Sequence, residues 1–193
     1  MALPAASRPA DIPATTCCDT LSTMADRIRT VALAGLCGCE DAGCADRAFR
    51  SFVSIGPTIQ DPLGDSLIVH MTEFGPTSGS ATRGGNMLPF AVHQADFEVQ
   101  LRDNGWPQIS TDDMSKSIVA PDSDMVNGMA LHSMGHGEKM YRALVDAIQR
   151  KELFAGAANG HIGLTQISGL RPIQPTSFMV GWSCTVRVEA TLR

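Results

Sequence analysis

Three cysteines after the first apolar stretch form the first group of residues that could do chemistry. Cys37, Cys39 and Cys44 lie close together, and clustered thiolates can bind a metal, with His70 or His93 as a fourth ligand. Structural zinc sites typically use two ligand pairs, each about two to four residues apart, and Cys-x-Cys followed by one Cys is half of such a set. We therefore favour buried thiols at a helix end over a metal site.

Two histidines further along the chain form the second group. His132 and His136 are four residues apart, so on a helix they share a face and could bind a metal with Glu138 nearby. The zinc-protease signature needs a glutamate directly after the first histidine, and Ser133 stands at that position. Without that general base the spacing does not predict hydrolysis, and core or interface histidines are the preferred interpretation.

A glycine-rich stretch, residues 75–89, is the third group. Its backbone amides could contact a phosphate, but no Gly-Lys-Ser/Thr closes it, so it is not a P-loop. A long loop is the simpler interpretation, and loops of this kind often become ordered only against a partner subunit. The sequence also lacks a Gly-x-Ser-x-Gly elbow and a dinucleotide fingerprint, so we predict a binding or assembly protein rather than an enzyme.

The elements that position these groups begin with a helix predicted from about Cys17 to between Gly35 and Gly38. Thr16 and Asp19 resemble a capping box at its start. Apolar residues then recur at spacings of three and four, which gives one amphipathic face. That face comprises Leu21, Met24, Ala25, Ile28, Val31, Ala32 and Leu36.

Two strands are predicted on either side of the glycine-rich stretch. Residues 67–74 form an apolar, β-branched run, and residues 90–102 alternate apolar and polar side chains, with a turn at 103–105. The alternation predicts a wet face from Gln94 onward and a buried face comprising Ala91, His93, Ala95, Phe97, Val99 and Leu101. Residues 52–64 are predicted to be a connection with at most one short extended segment.

A second helical pattern covers residues 122–154. Its predicted apolar side comprises Met125, Met129, His132, His136, Met140, Leu144, Val145 and Ile148. Gly128, Gly135 and Gly137 each cost about 1 kcal/mol against alanine in a helix interior. The early part is therefore predicted to be a separate short helix or a kinked lead-in.

The last third of the chain predicts two further strands. Residues 161–168 are compatible with a strand, 171–175 with a turn or an extended break, and 178–193 alternate apolar and polar side chains. The element order predicts an α+β fold with a mainly antiparallel sheet of about four or more strands and two main helices packed on one face. We expect residues 16–193 to form one domain after an irregular arm at 1–15.

Composition narrows the class of function. The chain has 193 residues, 44% of them hydrophobic and 18% charged, which is typical of a folded globular protein. Its net charge of −5 and lack of a basic run argue against a protein that binds nucleic acid by neutralising its phosphates. The start has no secretory h-region, so we expect a cytosolic protein whose six cysteines are free thiols, with no membrane contact.

The order of elements and the closing segment resemble the tail terminator proteins of long-tailed, siphovirus-like phages. Three segments are similar. They are the strand that begins at 89–92 and ends at Leu101-Arg102, the helix at 140–153, and the closing segment, in which 173–175 precede Gly181-Trp182 and an alternating strand. The resemblance covers nearly the whole chain after Thr16. The stretches 75–89 and 109–121 depart from the pattern and could belong to a different neck protein on a related fold.

The resemblance implies a structural subunit of the virion neck, assembled in the host cytoplasm, with no catalytic residue, metal or cofactor. Copies of the chain are expected to form a ring, expected to be hexameric, that caps the tail tube and ends its polymerisation. The implied partners are the tail tube protein and a head-proximal connector or stopper protein, with DNA passing through the lumen without specific recognition.

Four residues are predicted to contact neighbouring subunits. Arg83 and Asn86 lie in the glycine-rich stretch, and Arg187 and Glu189 lie on the polar side of the last strand. Simple solvation is an equally good interpretation of all four. Two alternatives stay open for the chain as a whole: another head-tail connector or tail-completion protein, and a small metal-binding enzyme that uses the cysteine or histidine group.

Overall fold

The described part of the chain contains two helices and six strands. The structure, a computed structural model, describes residues 20–37, 50–55, 64–77, 92–104, 122–154, 160–176 and 179–192. In chain order the described elements are α1 (Thr20–Cys37), β1 (Arg50–Ile55), β2 (Ser66–Pro76), β3 (Val92–Asn104), α2 (Ser123–Gln149), β4 (Gly160–Ile167), β5 (Arg171–Thr176) and β6 (Met179–Leu192).

The six described strands form one mixed sheet in the order β1-β2-β3-β6-β4, and β5 also pairs with β6. Only the β1–β2 pairing is parallel, and the other described pairings are antiparallel. The two longest strands, β3 and β6, pair without a shift from Val92 opposite Thr191 to Asn104 opposite Met179. The predicted α+β fold with a mainly antiparallel sheet and two helices is confirmed.

Both helices pack on one face of the sheet, which we call the covered face. Helix α1 lies against β1, β2 and β3, whereas α2 lies against β3, β6 and β4. The alternating side chains of β3 and β6 that point to this face are almost free of solvent, as the two predicted alternations require. The covered face and the helices together bury Met24, Ile28, Leu36, Leu67, Val69, Phe97, Val99, Leu101, Met140, Leu144, Val186 and Val188.

Helix α2 is continuous over 27 residues, so its early part is not a separate short helix. Two glycines lie where a neighbouring element packs very closely: Gly137 of α2 lies against Trp182, and Gly35 of α1 lies against Ala143 of α2. A Cβ at Gly137 would lie 2.7 Å from the ring of Trp182, and a Cβ at Gly35 would lie 2.4 Å from Ala143. Glycine at these sites therefore lets α2 pack tightly on the sheet and on α1.

The predicted apolar side of α2 is correct in its second half and wrong in its first half. Met140 and Leu144 are buried, but Met125 is 54% exposed and His132 is also exposed. Ser133 and Gly137 occupy the buried positions instead. The periodicity of large apolar residues misses this face because the space beside the sheet is filled by Trp182 rather than by a helix side chain.

Several predicted boundaries differ from the structure. Asp103 and Asn104 continue β3 instead of forming a turn, and residues 171–176 form the strand β5 because they pair with β6. The glycine-rich stretch begins later than predicted, since Gly75 and Pro76 belong to β2. The capping box predicted at Thr16 lies outside the described residues, as do 78–91.

Helix α2 ends in a turn that reverses the chain. Lys151 adopts φ 58°, its N–H donates to Ile148, and the N–H of Glu152 donates to Ala147. This pattern satisfies carbonyl groups that a helix end leaves open, usually with glycine in the left-handed position.

Neither α1 nor α2, the helices in the described part of the chain, is long and apolar enough to cross a membrane.

Candidate functional site

The face of the sheet opposite α1 and α2 carries polar side chains, and we call it the polar face. On β3 it presents alternate residues from Gln94 to Arg102, and on β6 it presents their partners from Glu189 to Gly181. The register places Asp96 opposite Arg187 and Glu98 opposite Thr185. The polar face is thus built from cross-strand pairs in the centre of the sheet.

A two-point ion pair joins β3 to β6. Arg187 donates from Nε to Asp96 Oδ1 at 2.9 Å and from Nη2 to Oδ2 at 2.7 Å. The Asp96 side chain is only 7% exposed, whereas that of Arg187 is 45% exposed. The hydrogen bond to Asp96 and the charge of Asp96 raise the pKa of the Arg187 guanidinium above its ordinary value. The nearby charges of Glu73 and Glu189 raise it as well.

A second polar chain runs along the same face toward the other end of β3. His70 Nε2 lies 3.1 Å from Glu98 Oε2, and Gln100 donates to Glu98 Oε1 at 3.1 Å. Arg102 in turn donates to Gln100 Oε1 at 3.0 Å. These contacts link alternate side chains of β3 into a ladder that crosses to β2.

The prediction that the polar residues of β3 are solvated is wrong for Asp96. This residue is 5% exposed, and His70, which lies opposite Glu98, is also 5% exposed. Burial of a carboxylate is costly unless a cation and hydrogen bonds compensate it, and Arg187 provides both. The polar face therefore includes an ordered ion pair as well as wet side chains.

A cleft of about 460 Å³ lies on the polar face beside the ion pair. Carboxylate, guanidinium, amide and hydroxyl groups meet there. The lining residues are Thr72, Asp96, Glu98, Gln166, Ile167, Ser168, Thr185 and Arg187. Such a mixture of charged donors and acceptors is suited to polar contacts with another protein.

Two of the four predicted contact residues fall on this face. Arg187 lines the cleft while it binds Asp96, and Glu189 lies half-buried opposite Gln94. Arg83 and Asn86 lie outside the described residues. The structure thus brings Arg187 and Glu189 to one surface, and their contact with a neighbour stays a prediction.

The two histidines of α2 lie at the covered face rather than at the cleft. His136 Nδ1 is 2.8 Å from Asp103 Oδ1, and the rings of His132 and His136 meet edge to face at 4.1 Å. Glu138 is separate from them, because it forms an exposed ion pair with Arg142. The His136–Asp103 contact ties α2 to the end of β3.

A second hydrogen bond strengthens that attachment. Trp182 Nε1 donates to Ser133 Oγ at 3.1 Å, directly beside the close approach of Gly137 to the indole ring. Ser133 and Asp103 are each 1% exposed. The arrangement accounts for the polar residues in the first half of α2 as anchors of the helix on the sheet.

His70 and His93, the histidines considered as a fourth ligand beside the cysteines, are not brought together. His70 contacts Glu98, whereas the ring of His93 stacks on Phe74 with centroids 5.5 Å apart. Cys39 and Cys44 lie outside the described residues. Among the described side chains, no group of three or more His, Cys, Asp or Glu is arranged to hold a metal ion.

The chain matches no protein-family model. It also has no match among curated proteins.

Sequence reasoning missed the Asp96–Arg187 pair, although it assigned both residues to polar sides of strands. The missing information was the register between β3 and β6, two strands that lie far apart in sequence. A usable signal does exist, since both strands are unusually long and each carries isolated charges at alternate positions. Matching opposite charges across the two alternations would have suggested this register.

Proposed function

We propose that this chain is a tail terminator subunit of a long-tailed phage. Copies form a ring, expected to be hexameric, that caps the tail tube, ends its polymerisation and joins it to a head-proximal connector. The proposal places the protein in the neck of the virion after assembly in the host cytoplasm. It is the function that the resemblance in the sequence implies and that the fold accommodates.

The observation that carries the proposal is the one-sided construction of the described domain. Both helices cover one face of the sheet, and the other face presents polar side chains along the two longest strands. Such a face can contact neighbouring subunits through charged and hydrogen-bonding groups. The described order α1, three strands, α2, three strands has one strand more on each side of α2 than the order on which the resemblance rests.

The charge of the chain is compatible with DNA in the lumen of a ring. A net charge of −5 gives the protein the same sign as the phosphate backbone. Few counterions are released when such a surface approaches DNA, so the nucleic acid passes without being held. This supports a role as conduit and cap rather than as a DNA-binding protein.

Loss of the gene product in phage-infected cells tests the proposal. A nonsense mutation early in the coding sequence is expected to give tails of uncontrolled length that do not join heads, visible by negative-stain microscopy. Tails of normal length that fail to join heads would instead favour another connector or tail-completion protein. Normal particles would contradict any role in the neck, and complementation with the intact gene is the control.

A further inference from the structure

We draw no further inference here: the strongest candidate, the polar cleft beside the Asp96–Arg187 ion pair on β3 and β6, belongs to the site already described, and nothing in the described structure shows which chemical group would occupy it.

Discussion

The covered face and the polar face of the sheet bury their residues in different ways. On β3, Phe97 and Val99 point to the covered face and are 1% and 0% exposed, while Asp96 points to the polar face and is 5% exposed. Phe97 and Val99 are buried by apolar contact with the helices. This kind of packing depends on the volume of the side chains and little on the direction in which they approach each other. Asp96 is buried with Arg187, and this depends on register and bond geometry.

The comparison teaches that similar burial on the two faces has different consequences. Apolar packing on the covered face supplies most of the stability of the fold, because the hydrophobic effect scales with buried apolar area. The Asp96–Arg187 ion pair of the polar face adds less to stability, since desolvation offsets much of its attraction. The ion pair does favour one alignment of β3 and β6, because a shift of one residue would separate Asp96 from Arg187.

The largest difference is expected between removing a buried aromatic ring and removing an exposed one. Phe97→Ala empties a fully buried site and should lower the free energy of unfolding by about 3–5 kcal/mol. Phe74→Ala removes the same ring where it is 42% exposed, and should cost about 1 kcal/mol or less. Urea unfolding followed by circular dichroism measures both, and equal losses would contradict the assignment of the core to the covered face.

A smaller difference is expected between two glycines of α2 that are two residues apart. Gly137→Ala places a Cβ 2.7 Å from the Trp182 ring and should lower the free energy of unfolding by about 1–3 kcal/mol. Gly135→Ala meets nothing within 4 Å and should raise it by up to about 1 kcal/mol, because alanine favours helix. The same change of sign should appear in thermal melts, and stabilisation by both substitutions would rule out the close packing of α2 on Trp182.

Replacing the arginine of a buried ion pair is expected to have a larger effect than replacing the arginine of an exposed one. Arg187→Met leaves the Asp96 carboxylate buried without its cation and should lower the urea midpoint. Arg142→Met makes the same change in the exposed Glu138–Arg142 pair, where little loss is expected. Identical midpoints for the two variants would show that the pair on the polar face is no more ordered than one on a helix surface.

The smallest expected effect concerns one thiol on the covered face. Burial, with a smaller contribution from the charge of Glu98, raises the pKa of Cys184 from 9.0 to about 12. The native thiol should therefore resist iodoacetamide at pH 8, and should react once urea unfolds the chain. Peptide-resolved mass spectrometry measures this, and fast modification of Cys184 in the native protein would contradict its burial.

The raised pKa of Cys184 also determines how this thiol changes the stability of the fold with pH. Between pH 9.0 and about 12 the unfolded chain loses the Cys184 proton that the folded chain keeps, so this group reduces stability as pH rises. Cys184→Ala should remove that contribution while the rest of the alkaline profile remains. An unchanged difference between the two proteins across this range would count against the raised pKa.

The sequence allowed the elements of the covered face to be predicted, because their apolar residues repeat at the periods of a helix and a strand. Met24, Ile28 and Leu36 of α1 are buried as their spacing predicts, and so are Val186 and Val188 of β6. The buried position of Gly137 was not predictable in this way. A glycine lowers helix propensity in isolation, and its advantage here comes from Trp182, which is distant in sequence.

The polar face could be predicted only as a set of side chains. Alternation assigned Asp96 and Arg187 to polar sides of two strands, but nothing local to either strand determines that they face each other. The same limit applies to His136, whose partner Asp103 was expected in a turn. Pairings of this kind depend on tertiary register, which a single sequence does not encode in its local periodicity.

The most direct test of the proposed function is to locate the chain in phage particles. An affinity-tagged copy can be labelled with gold and imaged by electron microscopy, with untagged particles as the control. We predict a closed ring of label at the head-proximal end of the tail tube, between the tube and the connector. Label elsewhere on the particle, or particles that contain none of the protein, would contradict the account.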